Sequence, residues 1–189
     1  MKQLKEFLNK IYKLDNNELE KFLAHWKLAH YKKGEIISWA GEVEKYFYFI
    51  EEGLQKAYYV KEGKQYVIAF TFPPSFTCIP ESFLTQKPSF YFLEAITDSK
   101  VLRISHSAVE DLARDSHQIE KLLRKSHEQV LAGLVVRYHQ MLAYPMKERF
   151  NEFVKRSPQL LNLIPHKDIA SYLGIDPTNF SKLYNSIKL

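Results

Sequence analysis

Apolar residues in the first part of the chain recur at helical steps. Leu4, Phe7, Leu8, Ile11 and Leu14 predict one amphipathic helix. Asp15, with Glu18 three residues on, predicts a capping box ahead of a second helix carrying Leu19, Phe22, Leu23 and Trp26. From Tyr31 the pattern changes to short β-branched and aromatic runs separated by Gly34, Gly41, Gly53 and Gly63. Strands are predicted at 35–39, 45–51, 54–60 and 65–72, with Lys61-Glu62-Gly63-Lys64 as a hairpin turn in which Gly63 takes the positive φ. A further strand pair is predicted at 91–96 and 101–104, joined by Thr97-Asp98-Ser99-Lys100. Short strands at this spacing suit a sandwich or barrel.

Helical spacing returns at Ser107, read as the cap of a helix over 109–114, and continues in a proline-free segment over 116–143. Ile119, Leu123, Ser126, Val130, Leu134, Tyr138 and Met141 fall on one face of that segment. Such a stripe suits a dimer seam or packing against the barrel. Pro145 breaks the pattern, and 146–154 begins another amphipathic helix. The expected organisation is three parts, 1–115, 116–143 and 144–189.

The end of the chain carries the sharpest motif. A helix-turn-helix needs a small residue where its helices cross, a tight turn that favours Gly, and apolar residues joining the two helices. Ile169, Ala170 and Leu173 serve the first helix, Gly174 the turn, and Ile175, Phe180 and Leu183 the second. Asp176 suits the N-cap and Pro177 the first turn. Lys167, Thr178, Asn179, Ser181, Lys182 and Asn185 are left to face outward, side chains suited to phosphates and base edges. A capped helical hairpin without DNA would use the same spacing.

Charge strengthens the nucleic-acid reading. The net charge of +5 is unevenly placed: residues 1–115 carry 16 basic and 16 acidic side chains, 116–142 four and two, and 143–189 seven and four. A neutral body with a basic end fits a polyanionic partner. Hydrophobic residues at 46% and charged residues at 26% are ordinary globular values. No run approaches the ~20 apolar residues of a membrane span. The opening Met1-Lys2-Gln3-Leu4-Lys5 lacks the apolar core of a secretory signal, so a cytoplasmic protein without membrane contact is expected.

Composition also removes chemistries. Cys78 is the single cysteine, which excludes intrachain disulfides and multi-thiolate clusters and reads as a small buried hydrophobe. The histidines are scattered, and His25/His30 and His117/His127 lack the i, i+4 spacing of helical metal pairs. With no Gly-rich phosphate loop, Ser-centred elbow or paired carboxylates, no enzyme activity, metal or cofactor is expected.

The order of parts resembles the Crp/Fnr family of bacterial transcription regulators over essentially the whole chain. The resemblance rests on Lys33-Gly34-Glu35, on Gly41 before Tyr46-Phe47-Tyr48-Phe49-Ile50, on Gly53, and on the tail from Ile164 to Ile175. It implies an α+β fold: an N-terminal double-stranded β-helix or jelly-roll barrel of cyclic-nucleotide-binding type, a long dimerisation helix and a C-terminal helix-turn-helix bundle. It also implies a homodimer that binds double-stranded DNA through two copies of 177–189, and a dimer seam through Ile119, Leu123, Val130, Leu134, Tyr138 and Met141. The family's phosphate-binding cassette sets a Gly-Glu pair before an Arg followed by Ser or Thr. Here Glu81 is present, Pro80 stands for the Gly, and Ser89 or Phe90 for the Arg. Cyclic AMP and cyclic GMP are therefore not the expected effectors. A small molecule of unknown identity is expected beside Phe70, Phe72, Pro80, Glu81, Ser82, Ser89 and Phe90, where the aromatics either line an apolar pocket or fill the barrel. The alternative function is a ligand-binding module of this type whose last helices make protein contacts. That alternative draws on the chain ending at Leu189, where family members continue into a wing.

Overall fold

The computed structural model describes residues 1–186. Its first segment forms the two expected helices, α1 (Lys2–Ile11) and α2 (Asn16–Ala24). Asp15 caps α2 by accepting from Glu18 N at 2.9 Å. The other half of the expected capping box is replaced. Asp15 N donates to Gln118 Oε1 at 3.1 Å, and Gln118 Nε2 donates back to Asp15 Oδ2 at 2.6 Å.

The aromatic and β-branched runs become β1 (Lys27–Tyr31), β2 (Ile36–Ser38), β3 (Tyr46–Glu52), β4 (Gln55–Lys61), β5 (Lys64–Thr71), β6 (Ser75–Thr77), β7 (Tyr91–Ala95) and β8 (Ser99–Ser105), with the short helix α3 (Pro80–Thr85) between β6 and β7. They form two four-stranded sheets, β1-β8-β3-β6 and β2-β7-β4-β5, a jelly-roll arrangement. β1 is marked in the sequence by no apolar alternation: Leu28 is open to solvent, as an edge strand permits. At the β4–β5 turn both Glu62 (φ 53°) and Gly63 (φ 73°) are left-handed. Two such residues give the turn whose twist matches a hairpin.

The predicted pairing of 91–96 with 101–104 is overturned. β7 lies in one sheet and β8 in the other. The three residues between them cross from sheet to sheet over Gly53, where a Cβ would lie 2.6 Å from the Asp98 carbonyl oxygen and collide with Ser99. Leu54 ties this corner down, its carbonyl accepting from Ile96 N at 2.7 Å and its N–H donating to Thr97 Oγ1 at 3.0 Å.

β3 is buried along most of its length, so it reads as a continuous apolar run. Phe47 and Phe49, with Leu102 and Ile104 of β8, join the cluster built from Leu4, Leu8, Phe22 and Trp26 of the N-terminal segment. Tyr48 and Ile50 alternate to the opposite face. The same cluster takes in Val109 of α4 (His106–Asp115) and Ile119, Leu122 and Leu123 of α5 (His117–Ala143). The cap of α4 is Ser105, not Ser107: Ser105 Oγ accepts from Ala108 N at 3.3 Å.

The chain divides into two compact units, Met1–Ala57 with Phe70–Val130, and Tyr58–Ala69 with Leu131–Leu189. The second holds the end of α5, then α6 (Met146–Arg156), α7 (Leu160–Leu163), α8 (His166–Leu173) and α9 (Pro177–Ser186). Its core is Phe150, Phe153, Leu160, Leu161, Ile164, Ile169, Leu173 and Phe180. The expected DNA-reading helix over 177–189 is described to Ser186, and its last three residues lie outside the described part. Among the described residues no helix is long and apolar enough to cross a membrane.

Candidate functional site

α8 and α9 are joined by Gly174-Ile175-Asp176, and each residue has a distinct task. Gly174 ends α8 in the left-handed conformation (φ 61°), where a non-glycine residue is strained. A Cβ there would also press on the Met141 methyl at 2.8 Å. Ile175 N turns back to the Ala170 carbonyl at 2.9 Å, and its side chain is buried. Asp176 caps α9, Oδ1 accepting from Thr178 N at 2.8 Å, a contact that suits the positive end of a helix. Ala170 is buried where the helices meet, and the rings of Phe180 and Phe150 meet edge to face at 5.4 Å.

The outward residues separate by what holds them. Lys167, Thr178, Ser181, Lys182 and Asn185 are exposed, and Asn179 is half-buried. The Ser181 hydroxyl donates to the Pro177 carbonyl at 3.0 Å, so it serves its own helix.

Three arginines of the basic end serve the fold. Arg149 donates to the carbonyls of Leu173 at 2.9 Å, Gly174 at 3.2 Å and Tyr144 at 2.7 Å. Arg137 lies 3.5 Å over the Tyr172 ring and donates to the Tyr172 carbonyl. Burial lowers its pKa, with repulsion from Arg156 and Arg149 adding to the shift. Arg156 donates to the Tyr172 hydroxyl at 3.3 Å. A helix C-terminus leaves carbonyls without intrahelical partners, and cations satisfy both their hydrogen bonds and their dipole. The exposed cations of α8 and α9 among the described residues are Lys167 and Lys182.

Of the expected effector residues, Pro80, Glu81 and Ser82 lie on α3, Ser89 is bonded to it, and Phe70 lies on β5, all in the first unit. Pro80 opens the helix, where its missing N–H costs nothing. Pro80 and Glu81 are exposed, Ser82 and Ser89 buried, Phe70 and Phe72 half-buried, and Phe90 is 73% exposed. The structure brings Glu81 and Ser89 together: the Ser89 hydroxyl lies 3.0 Å from Glu81 Oε1 and accepts from Tyr91 N at 2.9 Å. Ser82 Oγ accepts from Glu44 N at 2.9 Å and donates to the Lys87 carbonyl at 2.5 Å.

Sequence reasoning missed two buried charges here. Glu44 sits in a small cleft of about 150 Å³ lined also by Tyr31, Trp39, Tyr48 and Ser89. Its carboxylate accepts from Ser38 Oγ at 2.5 Å and Tyr46 N at 3.1 Å. Burial nevertheless raises its pKa above the ordinary 4.5, these bonds opposing the shift. The buried Lys56 pairs with Glu94 at 3.6 Å. Neither stands out in the sequence, where a lone charge in the loop before β3 or within β4 reads as solvent-facing. Burial pushes the Cys78 thiol well up, as expected of an unreactive cysteine. Among the described residues no group of three or more His, Cys, Asp or Glu is arranged to hold a metal ion.

Along α5 the stripe divides. Ile119, Leu123 and Ser126 are covered within the chain, Met141 is half-buried, and Val130, Leu134 and Tyr138 are exposed. Leu131, Val135 and Leu142, which the sequence reading did not single out, are exposed with them, Leu142 to 70%.

Residues 28–116 match the family model of the cyclic nucleotide-binding domain. No curated protein sequence matches the chain. Among solved structures it is similar to FixK2 from Bradyrhizobium japonicum, at 20% identity and a TM-score of 0.73, covering 85% of this chain and 83% of that one. It is similar to CLP, a c-di-GMP responsive global regulator from Xanthomonas campestris, at 15% identity and a TM-score of 0.67, covering 90% of each chain. The catabolite activator protein of Thermus thermophilus gives 16% identity and a TM-score of 0.58, covering 93% of this chain and 84% of that one. Residues 28–116 are thus similar to a cyclic nucleotide-binding domain, and the chain shares its fold with FixK2 and the catabolite activator protein.

Proposed function

We propose that this chain is a homodimeric, cytoplasmic transcription regulator that binds double-stranded DNA through α8 and α9 as a helix-turn-helix. The observation that carries the reading is the left-handed Gly174 turn, which joins a short helix to one whose exposed leading end bears Thr178 and Lys182. A recognition helix needs small polar and cationic side chains at that end. Two copies would stand about 34 Å apart, one duplex turn, matching a palindromic operator.

The second element is α5. Its solvent face from Val130 to Leu142 is a row of Val, Leu and Tyr that water would not select, and a second α5 covers it. Ile119 and Leu123 are already covered by the chain's own core, which supports a seam in the later half of the helix.

The barrel acts as a sensor for a ligand other than cyclic AMP or cyclic GMP. A cyclic phosphate in the cassette needs a cation, and the one basic residue between Pro80 and Tyr91 is Lys87, whose side chain is exposed. The Ser89 hydroxyl, standing where the Arg is expected, engages Glu81 instead. A buried phosphate charge left unpaired costs several kcal/mol. Fluorescence anisotropy with promoter fragments tests the function. Specific binding well above the nonspecific level at about 150 mM salt supports it. Nonspecific affinity in every ligand state would leave the last helices as protein-contact elements.

A further inference from the structure

Sheet order places β5 at the edge of its sheet, with β4 as its one neighbour. An edge strand presents ladder N–H and C=O groups that need a partner. On β5 one pair of them is taken by a side chain. Val67 N donates to Ser171 Oγ at 3.0 Å, and Ser171 Oγ donates to the Gln65 carbonyl at 3.1 Å. One hydroxyl thus bonds the two residues flanking Tyr66, the pattern that one residue of a parallel neighbouring strand makes. Ser171 belongs to α8, the first helix of the proposed DNA-binding pair.

The consequence lies beside this contact. Hairpin residues Lys64 and Tyr66 form one wall of a cleft of about 700 Å³, and Lys167, Ser171 and Pro177 form the other. Lys167 and the start of α9 are the groups that a helix-turn-helix brings to phosphate and base edges. A recognition helix must enter a major groove about 12 Å wide, and a hairpin standing across the cleft from its leading end obstructs that approach.

We propose that the β4–β5 hairpin is an autoinhibitory latch: through Ser171 it holds α8 with the leading end of α9 turned to the hairpin, and it must release before DNA is bound. This rests on the reading of α8 and α9 as a helix-turn-helix. Ser171→Ala removes both bonds at a half-buried helix position and keeps helix propensity. In the full chain this variant exchanges its Val67 amide hydrogen about tenfold faster. It binds a specific operator fragment about tenfold more tightly, about 1.4 kcal/mol. Ser171→Thr, which keeps the hydroxyl, restores both values. Operator DNA added to the unaltered protein also deprotects Val67. The latch alone is overturned if the unaltered protein binds an operator and Ser171→Ala binds it equally or more weakly. It is overturned as well if Val67 stays protected in the saturated DNA complex. Absence of specific binding by both forms overturns the regulator reading and the latch together.

Discussion

The guanidinium of Arg149, on α6, bonds the carbonyl of Leu173, the last residue of α8, at 2.9 Å. Its remaining nitrogens reach the carbonyls of Gly174 and Tyr144, so one side chain ties the turn between α8 and α9 to the break after α5. Buried apolar contacts fill the space between these helices, and the arginine satisfies carbonyls that the end of α8 leaves without intrahelical partners. Arg149→Ala leaves three carbonyls without that partner. The C-terminal unit should lose roughly 2–4 kcal/mol, less than three full contributions of about 1.5–3 kcal/mol each, because water replaces the guanidinium at the exposed Gly174 carbonyl. Arg149→Lys should recover only a minor part, because an ammonium cannot span the three acceptors as a planar fork does. Urea unfolding followed by hydrogen exchange in 146–173 measures both. Equal stability of the Lys variant and the unaltered protein would contradict the geometry.

Arg149, Arg137 and Arg156 share a second consequence. Their charge is engaged with backbone and tyrosine oxygens, which leaves DNA contact to the lysines and small polar side chains of α8 and α9. Lys182→Ala should weaken operator binding by roughly 1–3 kcal/mol and lower the salt slope by about one. Asn179→Ala should cost a similar amount at one base position. Ser181→Ala should change affinity far less, because its hydroxyl is bonded to Pro177. Titrations at several salt concentrations separate the three. A large loss from Ser181→Ala with none from Lys182→Ala would reverse the assignment of the reading face.

Charge placed in the exposed row of α5 should separate the subunits. Leu134→Glu or Tyr138→Glu sets a carboxylate in a seam of Val and Leu, and sedimentation at micromolar concentration should show a monomer. Gln129→Glu, exposed on the opposite face of the same helix, should leave the dimer intact. Specific DNA affinity should fall with dimerisation, since one helix pair supplies few contacts.

Glu44 and Asp98 should give opposite pH signatures. Burial raises the Glu44 pKa above 4.5, so the folded state holds that proton more tightly than the unfolded chain. Its contribution is full below 4.5 and is lost as pH rises through the raised folded value. Asp98 is held below 3.8, chiefly by the Lys33 N–H and then by Lys32. Its contribution is present above 3.8 and is lost as pH falls through the lowered folded value. Relative to the unaltered protein, Glu44→Gln should gain stability as pH rises from 4.5, and Asp98→Asn should gain as pH falls below 3.8. Denaturation midpoints across pH 3 to 8 test both directions, and a flat difference for either variant would count against its assigned environment.

Much of the architecture was legible in residue order because the forces that make it act over a few residues. The β-branched and aromatic runs of β3, β4 and β5, the positive φ at Gly63 and Gly174, and the Asp176 cap are local properties, and the structure has elements there. The helix over 116–143 was legible for the same reason, since Pro145 ends it and the interval before it contains no breaker. Spacing says which residues share a face.

Long-range approach decided the rest. Nothing between Tyr91 and Ser105 states that β7 and β8 belong to different sheets; that follows from Gly53 meeting Asp98 and Ser99 across the fold. The basic surplus of the tail was visible in the sequence. That Arg149 and Arg137 turn inward to the carbonyls of α8 was not, because a guanidinium's partner is whichever acceptor packing brings within 3 Å. Lys56, Glu44 and Ser171 follow the same rule. Residue order determines helices, strands, turns and the candidate reading helix, where the physics is local. Only tertiary contact determines which charges are buried, which hydroxyls are already engaged, and which strand edge Ser171 closes.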